Sequence, residues 1–530
     1  MRRGGDQTVG VRRPNILLIT LDQFRADCLG AAGHPVVRTP NLDRLAAEGV
    51  RFTQHFSNCA PCAPARASLL TGLWQMNHRV TSNGAPLADD LPMLPRMLRE
   101  QGYDPTLFGY SDTALDPATL DSDDPRRTSY EQPMSGFSAG VLLDDDISAW
   151  IDWLEEQGYE RPAEHRDIYE PADVPIPEGR GATWRPARYA AEHTESAFMT
   201  TKVLEWLDER PGVSTTGADT PWCAHVSYLR PHPPYLAPAP YHDMFDPAEV
   251  DEPVRRASPR DEASVHPFVA GALSVVPSPL DELDQRQLRA TYYGMIAEVD
   301  AQLGRLLDGL DERGLADDTL VVLTSDHGEQ LGDHWLIEKL GFFDQSYRIP
   351  LIVRWPAAVT GPGRTVDAFT ENVDLTPTLL DLIGAATPEF CDGASLRPFL
   401  VEPTPDAPTG WRDAVHLEFD FRDPTSDLIE TVFGLRQDQC TISVLRDDRS
   451  KYVQFCADWP PLLYDLVDDP GELHDVAGDP ERLPQLFDSA RRLLALRMEH
   501  TDPRLANTRA TPVGTVTRRD PPRPGPARTN

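Results

Sequence analysis

Continuous apolar runs that end at an aspartate occur twice along the chain. Residues 15–22 are Asn-Ile-Leu-Leu-Ile-Thr-Leu-Asp, and residues 319–326 are Thr-Leu-Val-Val-Leu-Thr-Ser-Asp. An apolar run without alternation is typical of a strand that is buried on both faces of a sheet. In residues 285–313 the apolar positions instead recur at helical spacing, as in an amphipathic helix. Strands that alternate with helices predict an α/β domain with a mostly parallel central sheet and helices on both of its faces.

The pattern changes in the last quarter of the chain. Residues 440–446 and 451–456 flank a short polar turn, which predicts a hairpin in a small α+β domain with an antiparallel sheet. The Pro-rich stretch 403–408 is expected to be a linker, and the acidic, Pro-rich segment 111–190 an insertion near the mouth of a cleft. The expected organisation is an N-terminal arm (1–13), a large α/β domain (14–400), a small C-terminal α+β domain (401–510) and a disordered tail (511–530).

The composition argues against several classes of protein. The 530 residues include 50 Lys+Arg and 84 Asp+Glu, a net charge of −34 (50 − 84), which argues against a nucleic-acid-binding protein. The longest apolar runs have the length of strands, so we expect no membrane span. The seven cysteines are scattered without a framework, which is typical of a reducing compartment. We therefore expect a cytoplasmic protein.

A polar pair follows each of the two similar strands, Asp22-Gln23 after the first and Asp326-His327 after the second. Sites in open parallel sheets form at the carboxyl ends of the strands, so these side chains are expected to meet. Carboxylate and amide oxygens with one imidazole suit Mn²⁺, Ca²⁺ or Mg²⁺ better than Zn²⁺. The alternative is that each aspartate only caps the turn after its strand.

Cys62 lies at the predicted start of a helix, with Arg66 one turn later. Helix N-termini attract anions and lower the pKa of a thiol, so this position predicts an acidic, reactive cysteine. Two alternatives remain. Cys62 is either a small buried side chain, or half of a redox pair with Cys59 in the sequence Cys59-Ala-Pro-Cys62.

The sequence Cys62-Ala-Pro-Ala-Arg66, followed by Leu69-Leu-Thr-Gly72, resembles the signature of the sulfatase family. The resemblance covers about residues 14–500. Within the family, Arg230-Pro-His-Pro-Pro234 and Asp326-His-Gly-Glu-Gln330 are most similar to the phosphonate monoester hydrolase/phosphodiesterase branch. The resemblance implies an alkaline-phosphatase-like sandwich that carries a metal-dependent ester hydrolase.

The resemblance also implies a cofactor and a set of site residues. Cys62 would be converted to formylglycine by a formylglycine-generating enzyme, a transient partner. One divalent metal ion (Mn, Ca or Mg) would be held by Asp22, Gln23, Asp326, His327 and the modified Cys62. The implied catalytic residues are Cys62, Arg66, His232 and Lys339, with His232 or Lys339 protonating the leaving oxygen, and the implied substrate-binding residues are Asn83, Tyr110 and Asp112. Each has a purely structural alternative. Lys339 could be a solvated surface lysine, Asn83 could be a turn residue, and Tyr110 could be a core residue.

Asp112 departs from the branch, which has threonine two positions after the tyrosine. A carboxylate beside an anionic substrate repels it unless the carboxylate is protonated or paired, so Asp112 points to a different substrate or to a cationic group on it. The implied substrate is a small anionic ester, a phosphonate monoester or phosphodiester. The alternatives are a sulfatase that hydrolyses sulfate monoesters and, in another class, a thiol redox protein. Because family members often form tetramers, we expect a homo-oligomer, a tetramer or dimer.

Overall fold

The chain was analysed in a computed structural model. The structure describes residues 13–143, 147–210, 221–388, 390–402, 407–504, 506 and 508–517. Four predicted segments lie partly outside the described residues, one of them the insertion 111–190 at residues 144–146. In the other three, the residues outside are 1–12 of the expected N-terminal arm, 403–406 of the expected linker, and 518–530 of the expected disordered tail.

Eight strands form the central sheet, in the order β4-β3-β5-β1-β6-β7-β2-β8. Their bounds are Asn15–Leu21 (β1), Val50–Phe56 (β2), Pro105–Gly109 (β3), Ser138–Leu142 (β4), Cys223–Tyr228 (β5), Thr319–Ser325 (β6), Leu351–Arg354 (β7) and Arg364–Glu371 (β8). All pairings are parallel except those of β7 with β6 and β2. The prediction of a mostly parallel sheet is confirmed.

Strand β1 shows why its apolar run does not alternate. Leu17 and Ile19 pack into one buried cluster, whereas Ile16 and Leu18 pack into a second cluster on the opposite face. Successive side chains of a strand point to opposite faces, so an apolar run covered on both sides must be apolar at every position. Full burial of each such side chain contributes about 1.5–3 kcal/mol, and together these contacts fix the ends of β1 and β6.

Helices cover both faces of this sheet. Those of the large domain are Pro40–Glu48 (α1), Cys62–Thr71 (α2), Gln75–His78 (α3), Leu94–Glu100 (α4), Ser148–Glu156 (α5), Glu195–Glu209 (α6), Pro259–Ala263 (α7), Pro267–Val275 (α8), Glu282–Glu312 (α9), Asp344–Tyr347 (α10), Leu375–Leu382 (α11) and Arg397–Val401 (α12). Helix α9 begins three residues before the predicted start, where the Asp281 side chain accepts the Asp284 N–H as an N-cap. Among the described residues, no helix combines the length and the apolar character that a membrane span needs.

A second, antiparallel sheet follows, in the order β12-β11-β10-β9. Its strands are Ala414–Asp420 (β9), Thr441–Asp447 (β10), Ser450–Phe455 (β11) and Leu462–Asp465 (β12), and helix Leu483–Glu499 (α13) packs on it. Strands β10 and β11 form the predicted hairpin. The expected disordered tail differs from the structure in part, because Thr508–Thr511 (β13) pairs with Gly514–Thr517 (β14). Backbone pairing orders this stretch although its side chains are largely exposed.

Candidate active site

The two predicted aspartates lie side by side at the carboxyl ends of adjacent strands. Strands β1 and β6 pair in parallel with Leu21 opposite Ser325, so the next residues, Asp22 and Asp326, occupy equivalent positions. Both side chains are fully buried. The backbone N–H of Gln23 donates to Asp326 Oδ1 at 3.1 Å, which fixes one carboxylate relative to the other strand. The similar strand patterns in the sequence therefore predict a shared site.

Helix α2 brings Cys62 to the same edge of the sheet. All ten residues of this helix are buried, and Cys62 is its first residue. The side chain of Asn83 accepts the N–H of Ala63 at 3.0 Å, so Asn83 satisfies one of the donors that a helix start leaves unpaired. Cys62 Sγ lies 3.2 Å from His327 Nε2 and 3.9 Å from Asp22 Oδ1.

Four side chains form a cluster that fits a single divalent cation. One ligand atom from each of Asp22, Cys62, Asp326 and His327 lies within 4.8 Å of all the others. His327 Nδ1 is 3.0 Å from the carbonyl oxygen of Gly328, which can only accept, so this nitrogen carries the proton. His327 Nε2 therefore presents a lone pair to the cluster, as a metal ligand must. The cluster thus offers a divalent cation two carboxylates, one imidazole and the side chain of residue 62 as ligands.

Gln23, predicted as a further ligand, lies beside the cluster. Its Oε1 accepts a hydrogen bond from Lys339 Nζ at 2.7 Å, and its amide nitrogen donates to Glu329. The Glu329 carboxylate also accepts from the hydroxyl of Tyr235 at 3.0 Å. The amide is therefore held from both ends, and its oxygen is shared with the ammonium of Lys339.

Arg66 joins the outer oxygens of the two aspartates. Its guanidinium lies 3.0 Å from Asp22 Oδ2 and 2.9 Å from Asp326 Oδ2, and it donates to Ser227 Oγ at 2.5 Å. Each carboxylate thus places Oδ2 on Arg66, whereas Oδ1 faces the cluster. Arg66 is only 1% exposed, so its main effect is to orient the aspartates and balance their charge. The anion-binding role that the resemblance implies for Arg66 stays a prediction.

Lys339 and His232 form a hydrogen-bonded pair on another side of the cluster. Lys339 Nζ lies 2.9 Å from His232 Nε2, and His232 Nδ1 lies 2.7 Å from the carbonyl oxygen of Pro233. Because that carbonyl can only accept, Nδ1 carries the proton and Nε2 accepts from the lysine. Burial, and then the charge of Lys339, lower the pKa of His232 to about 3. Lys339 is buried and paired, unlike the solvated lysine of the structural alternative.

The charges around the cluster shift its acids in different directions. Burial tends to raise the pKa of Asp22, but the neighbouring basic side chains of His232, Arg66, His327 and Lys339 lower it well below its usual range. Burial raises the pKa of Asp326, and the charge of Asp22 adds to this effect. Asp22 is therefore the more acidic carboxyl of the two.

The prediction of an acidic thiol at Cys62 is wrong for the unmodified residue. Burial raises the pKa of Cys62 well above its usual value, and the charge of Asp22 raises it further. These effects outweigh the helix N-terminus and the ammonium of Lys339. A thiol in this place is a poor nucleophile unless it is modified or bound to a metal.

The geometry does not favour the redox alternative. All seven cysteines are free. Cys59 Sγ contacts Ser68 Oγ at 3.3 Å, whereas Cys62 Sγ faces His327. Burial also raises the pKa of the Cys59 thiol far above its usual value. Disulfide exchange needs an accessible thiolate, and neither sulfur offers one.

Tyr110 and Asp112 follow strand β3 and line a cavity of about 270 Å³ beside Cys62. The Tyr110 hydroxyl donates to Asp22 Oδ2 at 2.6 Å, so Tyr110 is tied to the cluster and is not only a core residue. Burial raises the pKa of Asp112 well above its usual value, against the opposing charge of Arg66. Part of the segment 111–190 forms the far wall of the cavity, including Tyr130 and Tyr169.

Three supporting residues were not predicted from the sequence. Glu329 holds Gln23, Ser227 holds Arg66, and Glu131 accepts the backbone N–H groups of Ser111 and Asp112. Glu329 stands in the same polar motif as Asp326, and Ser227 lies near the carboxyl end of a buried strand. Their positions in the sequence could therefore have marked both as candidate site residues. Glu131 lies in the irregular insertion, where no periodicity marks it.

Comparisons with protein families agree with this geometry. The family described as Sulfatase matches residues 14–385. A second family, described as N-sulphoglucosamine sulphohydrolase, C-terminal, matches residues 332–499. The first match covers more than half of the chain and includes the cluster, Arg66, His232 and Lys339. Members of the sulfatase family generally use a metal ion and formylglycine.

Individual relatives match nearly the whole chain. The "Multifunctional alkaline phosphatase superfamily protein PehA" of Trinickia caryophylli is 41% identical, over 96% of this chain and 99% of that protein. The choline-sulfatase of Rhizobium meliloti is 29% identical, over 87% of this chain and 82% of that protein. The solved phosphonate monoester hydrolase of Agrobacterium radiobacter is 45% identical, with a TM-score of 0.89 over 96% of this chain and 100% of that chain. The predicted alkaline-phosphatase-like fold is confirmed. The chain therefore belongs to the sulfatase family, within the alkaline phosphatase superfamily, and is an ester hydrolase.

Proposed function

We propose that this protein hydrolyses phosphonate monoesters and phosphodiesters with a formylglycine formed from Cys62. One divalent cation would be held by Asp22, Gln23, Asp326, His327 and residue 62. The observation that carries the proposal is this single ligand cluster, beside the Lys339–His232 pair. The relatives named as phosphonate monoester hydrolases, at 39–45% identity, support the same substrates.

The charge of the site favours monoanionic esters. Phosphate monoesters are dianions, and a second metal ion would help to offset the additional charge. Among the described residues, the cluster around Asp22 is the only group in which three or more His, Cys, Asp or Glu side chains are placed to hold a metal ion. Sulfate monoesters are also monoanions, and the choline-sulfatase relative keeps sulfatase activity as the second candidate.

Modification of residue 62 would replace its thiol chemistry. A hydrated formylglycine there would supply two hydroxyl groups on one carbon, one to displace the leaving alcohol from the ester and one to allow release of the acid part as the aldehyde returns. A cation held at the cluster would supply positive charge beside the attacking oxygen and the anionic ester. Arg66 keeps Asp22 and Asp326 in position, and Asn83 holds the start of the helix that carries residue 62.

The Lys339–His232 pair is the proposed source of the proton for the leaving oxygen. His232 Nε2 accepts from Lys339, so Lys339 is the proton-bearing member and His232 orients it. Lys339 also donates to Gln23, which holds the ammonium beside the cluster. A positioned acid of this kind contributes typically 10²–10⁴-fold to the rate.

Removing this acid should matter most for poor leaving groups. We expect Lys339→Ala to lower kcat/KM for a phenyl ester at least about tenfold more than for the 4-nitrophenyl ester. The reason is that 4-nitrophenolate can leave without being protonated, whereas phenolate leaves poorly unless it receives a proton. The measurement is kcat/KM for both esters with both enzymes. Lys202→Ala, at a lysine paired with Glu205 on α6, is the matched control and should change neither value. Equal losses for the two esters would remove Lys339 from the acid role.

Substrate preference tests the proposed function itself. With 4-nitrophenyl as the common leaving group, we expect kcat/KM for the phenylphosphonate monoester and for a phosphodiester to exceed that for the phosphate monoester. If kcat/KM for the sulfate ester exceeds both by more than about tenfold, or ~1.4 kcal/mol in the transition state, the protein is a sulfatase instead. Each assay requires enzyme in which the state of residue 62 is known.

The remaining expectations accompany this proposal. They are a transient encounter with a formylglycine-generating enzyme, a cytoplasmic location, a homo-oligomer (tetramer or dimer), and the division into domains at residues 14–400 and 401–510. Light scattering during size-exclusion chromatography measures the oligomeric state. Co-expression with and without the generating enzyme tests that partner.

A further inference from the structure

The cavity beside Cys62 has tyrosines and carboxylates in its wall. Tyr130 and Tyr169 place aromatic rings on it, and Asp112, Glu131 and Glu195 place carboxylates on it. Such a wall is unusual for an enzyme that binds anions, because carboxylates repel the substrate unless other groups balance them. The partners of each carboxylate therefore decide what the wall can bind.

Two of the three carboxylates are engaged within the protein. Glu131 Oε1 accepts the N–H groups of Ser111 and Asp112 at 2.6 and 3.1 Å, so it holds the turn after β3. Glu195 accepts the hydroxyl of Tyr169 at 2.8 Å, and burial raises its pKa against the opposing charge of Arg230. Both carboxylates therefore accept hydrogen bonds from other residues of the wall.

Asp112 differs from them. It is 8% exposed, lines the cavity, and its Oδ2 has no hydrogen-bond partner in the part of the chain that the structure describes. The nearest cation is Arg66, whose Nε is 3.4 Å from this oxygen. Arg66 already bridges Asp22 and Asp326, so one guanidinium faces three carboxylates. The proposed divalent cation would offset the charges of Asp22 and Asp326, so Arg66 would then face Asp112, whose Oδ2 it approaches at 3.4 Å without a hydrogen bond.

We propose that Asp112, with the ring of Tyr130, binds a cationic ammonium group carried by the substrate. The inference rests on the proposed function and names its substrate class, an anionic ester with an ammonium on the substituent that does not leave. An ammonium gains from the charge of the carboxylate and from the ring of Tyr130, whereas the ring of Tyr169 already carries the guanidinium of Arg230, 5.4 Å from its centroid. A cation there also favours the ionised form of Asp112, which burial alone disfavours. Because Arg166 also lines the cavity, the ammonium is assigned to Asp112 and not to the whole wall.

Matched esters test the subsite. The first pair is 4-nitrophenyl phosphorylcholine and 3,3-dimethylbutyl 4-nitrophenyl phosphate, in which carbon replaces the ammonium nitrogen. The second pair is the 4-nitrophenyl monoesters of 2-aminoethylphosphonate and propylphosphonate. We expect kcat/KM for the cationic member to exceed that for its neutral partner by roughly tenfold or more in at least one pair. The responding pair identifies a diester or a phosphonate as the natural class, and a ratio near one in both pairs overturns the proposal.

The substitution must keep the backbone of Asp112, whose φ is 57°. Asparagine and glycine tolerate this left-handed conformation, whereas threonine is strained in it. We therefore expect Asp112→Asn and Asp112→Gly to bring the ratio of the two kcat/KM values near one. Asp121→Asn removes the same charge from an exposed position in the same segment and should preserve the ratio. A ratio that is unchanged in both Asp112 variants contradicts the proposal.

Binding of choline separates this inference from the proposed function. Calorimetric titration of the wild-type protein with choline should give a Kd at least about fivefold lower than that of Asp112→Asn, whether or not residue 62 is modified. Equal affinities overturn the subsite. If the enzyme carries the aldehyde yet hydrolyses none of the four esters, the proposed function fails, and the titration still decides the subsite.

Discussion

Replacing Cys62 by serine is expected to give an enzyme that releases at most one equivalent of leaving group per active site and then stops. Serine keeps one hydroxyl beside His327 and Asp22, where Cys62 Sγ lies, so it can still attack the ester. It lacks the second hydroxyl that would re-form a carbonyl and expel the acid part. Water would then have to attack a crowded, negatively charged centre. A burst without turnover is therefore expected.

The burst is measured as 4-nitrophenol released against enzyme concentration, with the mass of the trapped adduct on the peptide 52–66. Cys59→Ser is the matched control, because Cys59 is buried against Ser68 and lies outside the ligand cluster. It should turn over like the wild type, whereas a redox pair would need both cysteines. Sustained turnover by Cys62→Ser near the wild-type rate would show that the second hydroxyl is unnecessary.

The second large effect is expected at Asp326. Asp326→Asn removes one charge from the proposed ligands and places an amide opposite Arg66, where Oδ2 now accepts. Loss of a residue that only supports a metal ligand typically costs 10–100-fold in affinity, so loss of a ligand should weaken Mn²⁺ binding by more than about a hundredfold. Activity in a chelator should be absent in both proteins, and added Mn²⁺ should restore only the wild type.

Calorimetric titration with Mn²⁺ gives the affinities, and circular dichroism shows whether the metal-free variant is folded. Asp308→Asn is a suitable control, since Asp308 lies on α9 with an exposed side chain and pairs with Arg44. Its Mn²⁺ affinity should equal that of the wild type. Full activity of Asp326→Asn in the presence of a chelator would remove Asp326 from the site.

The part of the site that the sequence predicts is the part that rests on local pattern. Two apolar runs with the same ending predict that Asp22 and Asp326 meet, because parallel strands of similar length present their ends at one edge. The helix at Cys62 follows from Pro64 in its first turn and from the apolar residues behind it. Local pattern also predicts the hairpin of β10 and β11.

The rest depends on contacts between distant parts of the chain. The sequence does not reveal that β7 runs antiparallel, because a short buried strand reads the same in either direction. The high pKa of Cys62 follows from burial that only the assembled helix and sheet create. Likewise, the hydrogen bond from Lys339 Nζ to Gln23 Oε1 joins residues that are 316 positions apart, and no local sequence pattern predicts it.

The central claim, that hydrolysis depends on a formylglycine at position 62, is tested most directly by mass spectrometry of the peptide 52–66. Preparations with different degrees of modification are digested with trypsin, and the fraction of this peptide that carries the aldehyde is compared with the specific activity toward a phosphonate monoester. The account predicts that activity rises in proportion to the aldehyde fraction and extrapolates to zero without it. Full activity in a preparation whose peptide carries only the thiol at Cys62 would contradict it.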